Sequence, residues 1–208
     1  MRIVCISDTH DFHNEVVIPQ GDILIHAGDC TGWGRMDQFK DFVDWFSGIH
    51  YKYKIFIAGN HDWCLFRSKE ECTKLMTNII YLEDESIEIE GLKIYGTPWQ
   101  PEFCNWAWNL PRNSELLAEK VEKIPNDTNI LITHAPPAGI LDKTLEGEST
   151  GCELLLDKLN SLQQLKMHIF GHIHEDYGVK LEKNITFVNA SICTRQYYPD
   201  NKPIVVEV

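Results

Sequence analysis

Lys54-Ile55-Phe56-Ile57-Ala58-Gly59-Asn60-His61-Asp62 is a short apolar run that stops on a glycine and then offers an amide, an imidazole and a carboxylate in succession. A run of this length, bounded by a turn residue, reads as a buried strand, and its polar sequel follows no helical period. The same pattern recurs along the chain. Residues 2–6 lead into Asp8-Thr9-His10, 22–27 into Gly28-Asp29, 130–133 into His134, and 168–171 into His172-Ile173-His174. In α/β sheets the residues that follow strands face a crevice at the carboxyl ends, so these segments are expected to meet at one rim.

Further apolar runs at 93–96, 185–189 and 203–208 also read as strands. Phe39, Phe42, Val43 and Phe46 follow i, i+3, i+4, i+7, Leu116, Leu117, Val121 and Ile124 do so more loosely, and a third helix is expected over 151–162. Strands alternating with helices, then more closely spaced strands, predict an α/β domain with much mixed sheet. At 208 residues the chain is expected to form one domain, 1–208, because halves of it would bury only marginal cores. Two long loops stand out, an aromatic one over 96–111 and another over 135–150, and loops of that length tend to be functional.

The totals narrow the functional classes. With 19 basic and 31 acidic residues the formal charge is −12, which disfavours wrapping a nucleic-acid polymer. No apolar run approaches the roughly 20 residues that span a bilayer, so no membrane role is expected. The first residues read as a strand rather than a signal segment, and the seven cysteines lack a CxxC pair. Both features lead us to expect a reducing, cytoplasmic location.

Five of the nine histidines fall in the strand-end segments. Asp8 and His10, two apart, can point the same way in extended chain and grip one ion. Asp29 emerges at a strand end, where its carboxylate can bridge two ions. Asn60 adds a neutral oxygen, while His134, His172 and His174 add imidazole nitrogens suited to Mn, Fe, Zn, Co or Ni. Singly most of these motifs are weak: Asp-x-His and Gly-Asp are mostly turns, Gly-His-x-His can be two hydrogen-bonded turn residues, and Gly-Asn-His-Asp after an apolar strand is the most specific. Their conjunction in this order is what points to a two-metal site.

Those motifs, DxH, GD, GNH[DE], H and GHxH, resemble the ordered signature of the calcineurin-like metallophosphoesterase superfamily, spanning Asp8 to His174. The resemblance implies a four-layer αββα sandwich with two central mixed β-sheets. It also implies two divalent ions per chain, with manganese the expected activator, one held by Asp8, His10, Asp29 and His174 and the other by Asp29, Asn60, His134 and His172. His61 would then be the non-ligand histidine facing the scissile phosphate, and Asp29 the shared carboxylate, with a metal-bridging hydroxide as nucleophile. Gly96-Thr97-Pro98-Trp99-Gln100-Pro101, Asn109-Leu110-Pro111-Arg112, Thr133-His134-Ala135-Pro136-Pro137 and Asn189-Ala190-Ser191 look like animal metallophosphoesterase-domain proteins near the class III cyclic nucleotide phosphodiesterases. Some of those carry glycine where this chain has His172.

The expected reaction is hydrolysis of a small phosphodiester, with cyclic nucleotides leading. Asn60, His61, Trp99 and Arg112 are the candidate substrate contacts, since tryptophan can stack on a base or aryl group and arginine can meet phosphate. Against these stand plainer readings: Trp99, Trp106 and Trp108 as loop staples, Arg112 as a cap on carbonyls, His13 as a surface residue, His26 as core, Asp62 as a turn residue. A protein phosphatase is a rival, but its family pattern GDxVDRG and RGNHE gives way here to Gly28-Asp29-Cys30-Thr31-Gly32 and Ala58-Gly59-Asn60-His61-Asp62. A DNA nuclease is disfavoured by charge, and a non-catalytic scaffold by the complete ligand set. Oligomeric state is not legible.

Overall fold

The computed structural model describes residues 1–208. In chain order its strands are β1 (Arg2–Ile6), β2 (Ile23–His26), β3 (Tyr53–Phe56), β4 (Ile80–Tyr81), β5 (Glu85–Ile89), β6 (Leu92–Thr97), β7 (Gln100–Pro101), β8 (Asn109–Leu110), β9 (Ile130–Thr133), β10 (Met167–Phe170), β11 (Gly178–Glu182), β12 (Ile185–Asn189) and β13 (Ile204–Glu207). The helices are α1 (Met36–Gly48), α2 (Trp63–Leu75), α3 (Glu115–Glu122) and α4 (Glu153–Leu159). Helix α2 and strands β4, β5, β7, β8 and β11 have no counterpart in the elements expected from sequence, and α4 is shorter than the expected 151–162.

Two mixed sheets form the centre. One runs β13-β1-β2-β3-β4, the other β11-β12-β10-β9-β6-β5, and in each the ligand-bearing strands are parallel. Parallel strands place their carboxyl ends on the same rim, which is what gathers Asp8, Asp29 and Asn60 from one sheet and His134 and His172 from the other.

Alternation along the strands explains the layers. Ile3, Cys5, Ile23, Ile25 and Ile55 turn inward to meet Ile94, Ile130, Ile132, Ile169 and Val188 of the second sheet. Their neighbours Val4, Ile6, Leu24 and Phe56 face outward onto Phe39, Phe42, Val43 and Phe46 of α1 and Leu65 and Cys72 of α2. On the far side Leu131, Phe170 and Phe187 pack on Leu117 and Val121 of α3 and Leu155 and Leu159 of α4. The result is the αββα sandwich. Strands covered on both faces are apolar at most positions, which is why these runs are continuous rather than alternating. A bridge between Ser7 and Ser191 ties the two sheets beside the site. No helix is long and apolar enough to cross a membrane.

Candidate metal centre

Sharp backbone reversals aim the ligands. Asp8, His10, Asp29 and His172 adopt left-handed conformations, with φ of 51°, 41°, 56° and 68°. Such residues cost of order 1 kcal/mol or more and persist where the surroundings over-determine them. Here the surroundings are other site loops: Asp8 N donates to Gly28 O at 2.9 Å and His10 N to Asp29 O at 3.1 Å.

The side chains so presented form two groups about one carboxylate. His174 Nε2 lies 3.2 Å from both Asp8 Oδ1 and His10 Nε2. His134 Nε2 lies 3.0 Å from Asn60 Oδ1 and 3.3 Å from Asp29 Oδ2, and the His134 and His172 rings are 5.2 Å apart. Asp29 Oδ2 is also 3.8 Å from His10 Nε2 and 4.0 Å from His61 Nε2. Ligand atoms of Asp8, His10 and His174, of His10, Asp29 and His61, and of Asp29, His134 and His172 lie mutually within 4.8 Å. The structure therefore brings together all seven residues expected as ligands, with His61 beside them.

The donor set suits divalent cations: buried carboxylate and amide oxygens converge with imidazole nitrogens. Room for them is made by glycine. A Cβ on Gly171 would overlap Asp8 Oδ2, and one on Gly59 would overlap Asp29 Oδ1, so each glycine admits the carboxylate of a different segment.

The electrostatics are those of a cation site with its histidines close together. Burial alone would raise the Asp29 carboxyl, but His134 and His61 hold it below the usual carboxylate range. Burial likewise would lower His134, yet the Asp29 carboxylate outweighs it and raises the imidazole to about 9. Burial pushes His10 and His172 down to about 3, keeping them neutral and so able to ligate.

Second-layer contacts fix the rings. Ala27 O meets His134 Nδ1 at 2.9 Å and Thr194 O meets His174 Nδ1 at 3.0 Å, so in each ring the Nε2 atom faces the centre. Ser191 Oγ donates to Asp8 Oδ2 at 3.0 Å, and Gln100 Nε2 to Asn60 Oδ1 at 3.3 Å. His61 Nδ1 meets Gly32 O at 2.7 Å, and since a carbonyl only accepts, Nδ1 carries the proton and Nε2 is left toward Asp29. The Trp106 ring stacks on His61 with centroids 4.1 Å apart.

Several sequence readings need correction. Asp62 is no ordinary turn residue: fully buried, it accepts from the backbone N–H groups of Gly59, Asp29, Cys30 and Thr31 and from the Thr31 hydroxyl. It joins the Asn60 loop to the Asp29 loop. Trp99 does not line the cavity over the centre; its ring packs against Trp108, Phe66 and Lys120, and Nε1 donates to Asp84 Oδ2 at 3.2 Å. Arg112 lines the cavity over the centre, but its guanidinium donates to Thr150 O, Gly151 O and Glu153 Oε2 at 2.6, 2.9 and 2.7 Å. The capping reading of Arg112 fits better than phosphate contact. His13 is buried rather than on the surface, with Nε2 3.1 Å from Asp41 Oδ2.

The calcineurin-like phosphoesterase family model matches residues 1–176. Metallophosphoesterase domain-containing protein 1 of Homo sapiens is 43% identical over 231 residues, covering 100% of this chain and 71% of that protein. A 3′,5′-cyclic-nucleotide phosphodiesterase of Nostoc sp. is 20% identical over 189 residues, covering 85% of this chain and 66% of that one. Among solved structures, a novel archaeal phosphodiesterase is similar with a TM-score of 0.46 at 19% identity, over 93% of this chain and 85% of that one.

Proposed function

The chain belongs to the calcineurin-like phosphoesterase family, whose chemistry is metal-dependent hydrolysis of phosphate esters, and from that premise we propose that it is a dinuclear phosphodiesterase acting on small diesters such as cyclic nucleotides. The observation that carries this reading is Asp29. Its Oδ2 stands between the Asp8–His10–His174 group and the Asn60–His134–His172 group, within 3.8 Å of a histidine from each. One carboxylate between two ligand groups is what would be needed to hold two cations side by side. When bound, such a pair, with manganese the proposed activator, polarises phosphoryl oxygens and acidifies water.

The chain's own residues do the rest. Asn60 and His61 line a cavity of about 400 Å³ above the centre, together with His172 and His174. His61, with Nδ1 held by Gly32 O, presents Nε2 to the cavity and, when protonated there, can donate to the leaving-group oxygen. Trp106 covers one face of that ring and limits its rotation. The charge around the cavity supports a diester, a monoanion, over a dianionic monoester. Arg112 and Arg195 both line it, but Arg112 is engaged by Glu153 and two carbonyls, and Arg195 by Glu146 and Glu175. Both guanidiniums already face carboxylates, which offsets the positive charge they bring to a second phosphate charge.

The test compares aryl phosphodiesters, aryl phosphomonoesters, and 2′,3′- and 3′,5′-cyclic nucleotides, with manganese and with chelator. Diester hydrolysis that chelator abolishes is expected. Preferential monoester hydrolysis would overturn the diesterase reading, and a protein that binds no cation would overturn the metal centre itself.

A further inference from the structure

Two large aromatic residues at the cavity are left bare by the fold. Phe103 is 58% exposed and Tyr197 44% exposed, and both line the cavity that holds Asp29, His61 and His172. Each stands beside a different ligand group. The Phe103 ring centroid lies 6.0 Å from that of His172, and the Tyr197 centroid lies 4.8 Å from His10 and 5.4 Å from His174.

Neither placement follows from packing. Phe103 has no place in the hydrophobic clusters that make the core. Tyr197 takes a left-handed backbone, φ 60°, which is an outlier for a bulky side chain and the kind of strain that gathers at ligand clamps. The turn that imposes it is built into the centre: Tyr197 N donates to Thr194 O at 2.8 Å, and that same carbonyl meets His174 Nδ1 at 3.0 Å. The strained backbone that carries the ring is thus tied to a ligand of the centre.

We infer that Phe103 and Tyr197 are specificity-determining residues that receive a planar aromatic group carried by the ester, a nucleobase or an aryl ring. The inference rests on the phosphodiesterase reading and deepens it by naming the part of the substrate that is recognised. Aromatic faces stack on any base, so the pair selects for the presence of a π system without reading which base it is.

The test uses the manganese-loaded protein and three substrates: a nucleoside 2′,3′-cyclic phosphate, the same ribose cyclic phosphate lacking its base, and an aryl methyl phosphodiester. Turnover is measured on each, and binding is measured separately by calorimetry with slowly hydrolysed phosphorothioate versions. Stacking on a base is worth roughly 5- to 150-fold, so the base-bearing diester should exceed the base-free one by about that factor, mainly through KM. Phe103→Ala and Tyr197→Ala should each shrink the ratio, and the double variant should bring it close to one, while Phe103→Tyr retains it. A preference for the nucleotide over the aryl diester assigns the group to the base; equal preference assigns it to any aromatic ring. A wild-type ratio near one, or a ratio unchanged in the double variant, overturns the inference whether read by turnover or by binding. Failure of the phosphodiesterase reading looks different: no diester is hydrolysed, and calorimetry still decides on the aromatic pair.

Discussion

Asp62→Asn should damage the centre without touching a ligand. In the native chain Asp62 Oδ2 accepts from Gly59 N, Asp29 N and Cys30 N at 2.8, 3.0 and 3.4 Å, and Oδ1 accepts from Thr31 Oγ1 and Thr31 N at 2.9 and 3.1 Å. Asparagine has one acceptor oxygen for these donors. Its better orientation puts the amide nitrogen at the Oδ1 position, where the Thr31 hydroxyl can turn to accept from it but Thr31 N–H cannot. One orphaned buried N–H costs about 1–3 kcal/mol, and three bonds to a carboxylate reduced to bonds to a neutral amide lose about 1 kcal/mol each. Part of this is offset, because burial and the nearby Asp29 charge push the Asp62 carboxyl up to about 6, so the native charge is itself held at a cost. The net expectation is a loss of about 2–4 kcal/mol. Urea unfolding in chelator isolates the loss from any effect of cations, and metal analysis after dialysis reads its consequence at Asp29, whose backbone N–H is then held by a neutral amide oxygen rather than a carboxylate. A variant within about 0.5 kcal/mol of wild type that retains full metal content would show that Asp62 does not organise these loops.

Three further outcomes are expected. Asp29→Asn should lose cations from both ligand groups, because its Oδ2 lies 3.8 Å from His10 and 3.3 Å from His134; metal analysis finding two ions per chain in the variant would contradict the shared carboxylate. His61→Ala should keep its cations and lose about 10²–10⁴ in kcat, the usual worth of a positioned acid, so a variant of undiminished rate would remove His61 from the mechanism. Acid should destabilise the fold through His26 and His168, which burial holds down to about 3 against an unfolded value of about 6.5. The unfolded chain takes up these protons below pH 6.5 and the folded chain does not until about 3, so stability falls across that window by about 1.4 kcal/mol per pH unit for each histidine. In His168→Gln the slope of unfolding free energy against pH between 6 and 4 should be smaller by about that amount, and equal slopes would refute the assignment.

The ring nitrogen that carries the proton in each of those two histidines is also readable from their partners. Thr133 Oγ1 donates to Ala135 O at 2.7 Å, so His168 Nε2, at 2.8 Å, must be the donor to that hydroxyl. His26 Nδ1 accepts from Gly28 N at 3.3 Å, which leaves Nε2–H to donate to Thr9 Oγ1 at 3.0 Å. No such pairing could be inferred from sequence, because its members are strands apart.

Legibility along the chain followed the range of the interactions involved. Strands β1, β9 and β12 were readable to their ends because burial on both faces forces unbroken apolar runs. Helix α2 was not, since it buries only Cys64, Leu65 and Cys72 and is broken at Ser68, where φ is −139° and ψ 44°; its apolar period never completes. Strands β5 and β11 are sheet edges, where Glu85-Ser86-Ile87-Glu88-Ile89 and Gly178-Val179-Lys180-Leu181-Glu182 carry enough charge to pass for loops. The aromatic loop was visible as a loop, but which tryptophan faces the centre was not. Gln100 N bonds to Trp108 O and Ala107 N to Asn60 O, both at 3.1 Å, and these long-range bonds turn Trp106 toward His61 and Trp99 toward Asp84. Composition gives the inventory of such a loop and leaves its orientation to distant partners.

The same distinction explains why the order of the motifs carried more than any motif alone. The glycine of each motif serves another motif's ligand: Gly171, before His172, leaves space for Asp8, and Gly59, before Asn60, leaves space for Asp29. The backbone follows suit, with His172 N donating to Asp8 Oδ1 and Oδ2 at 3.1 and 3.0 Å, and His61 N to Asp29 Oδ1 at 2.7 Å. A Gly-His-x-His in a chain without the Asp-x-His strand would hold a glycine with no steric reason to be one. Pairwise interlocking of this kind makes the first and last motifs, 164 residues apart, a single structural unit. A lesion at Gly171 should therefore resemble a lesion at Asp8 more than one at its own neighbour His172.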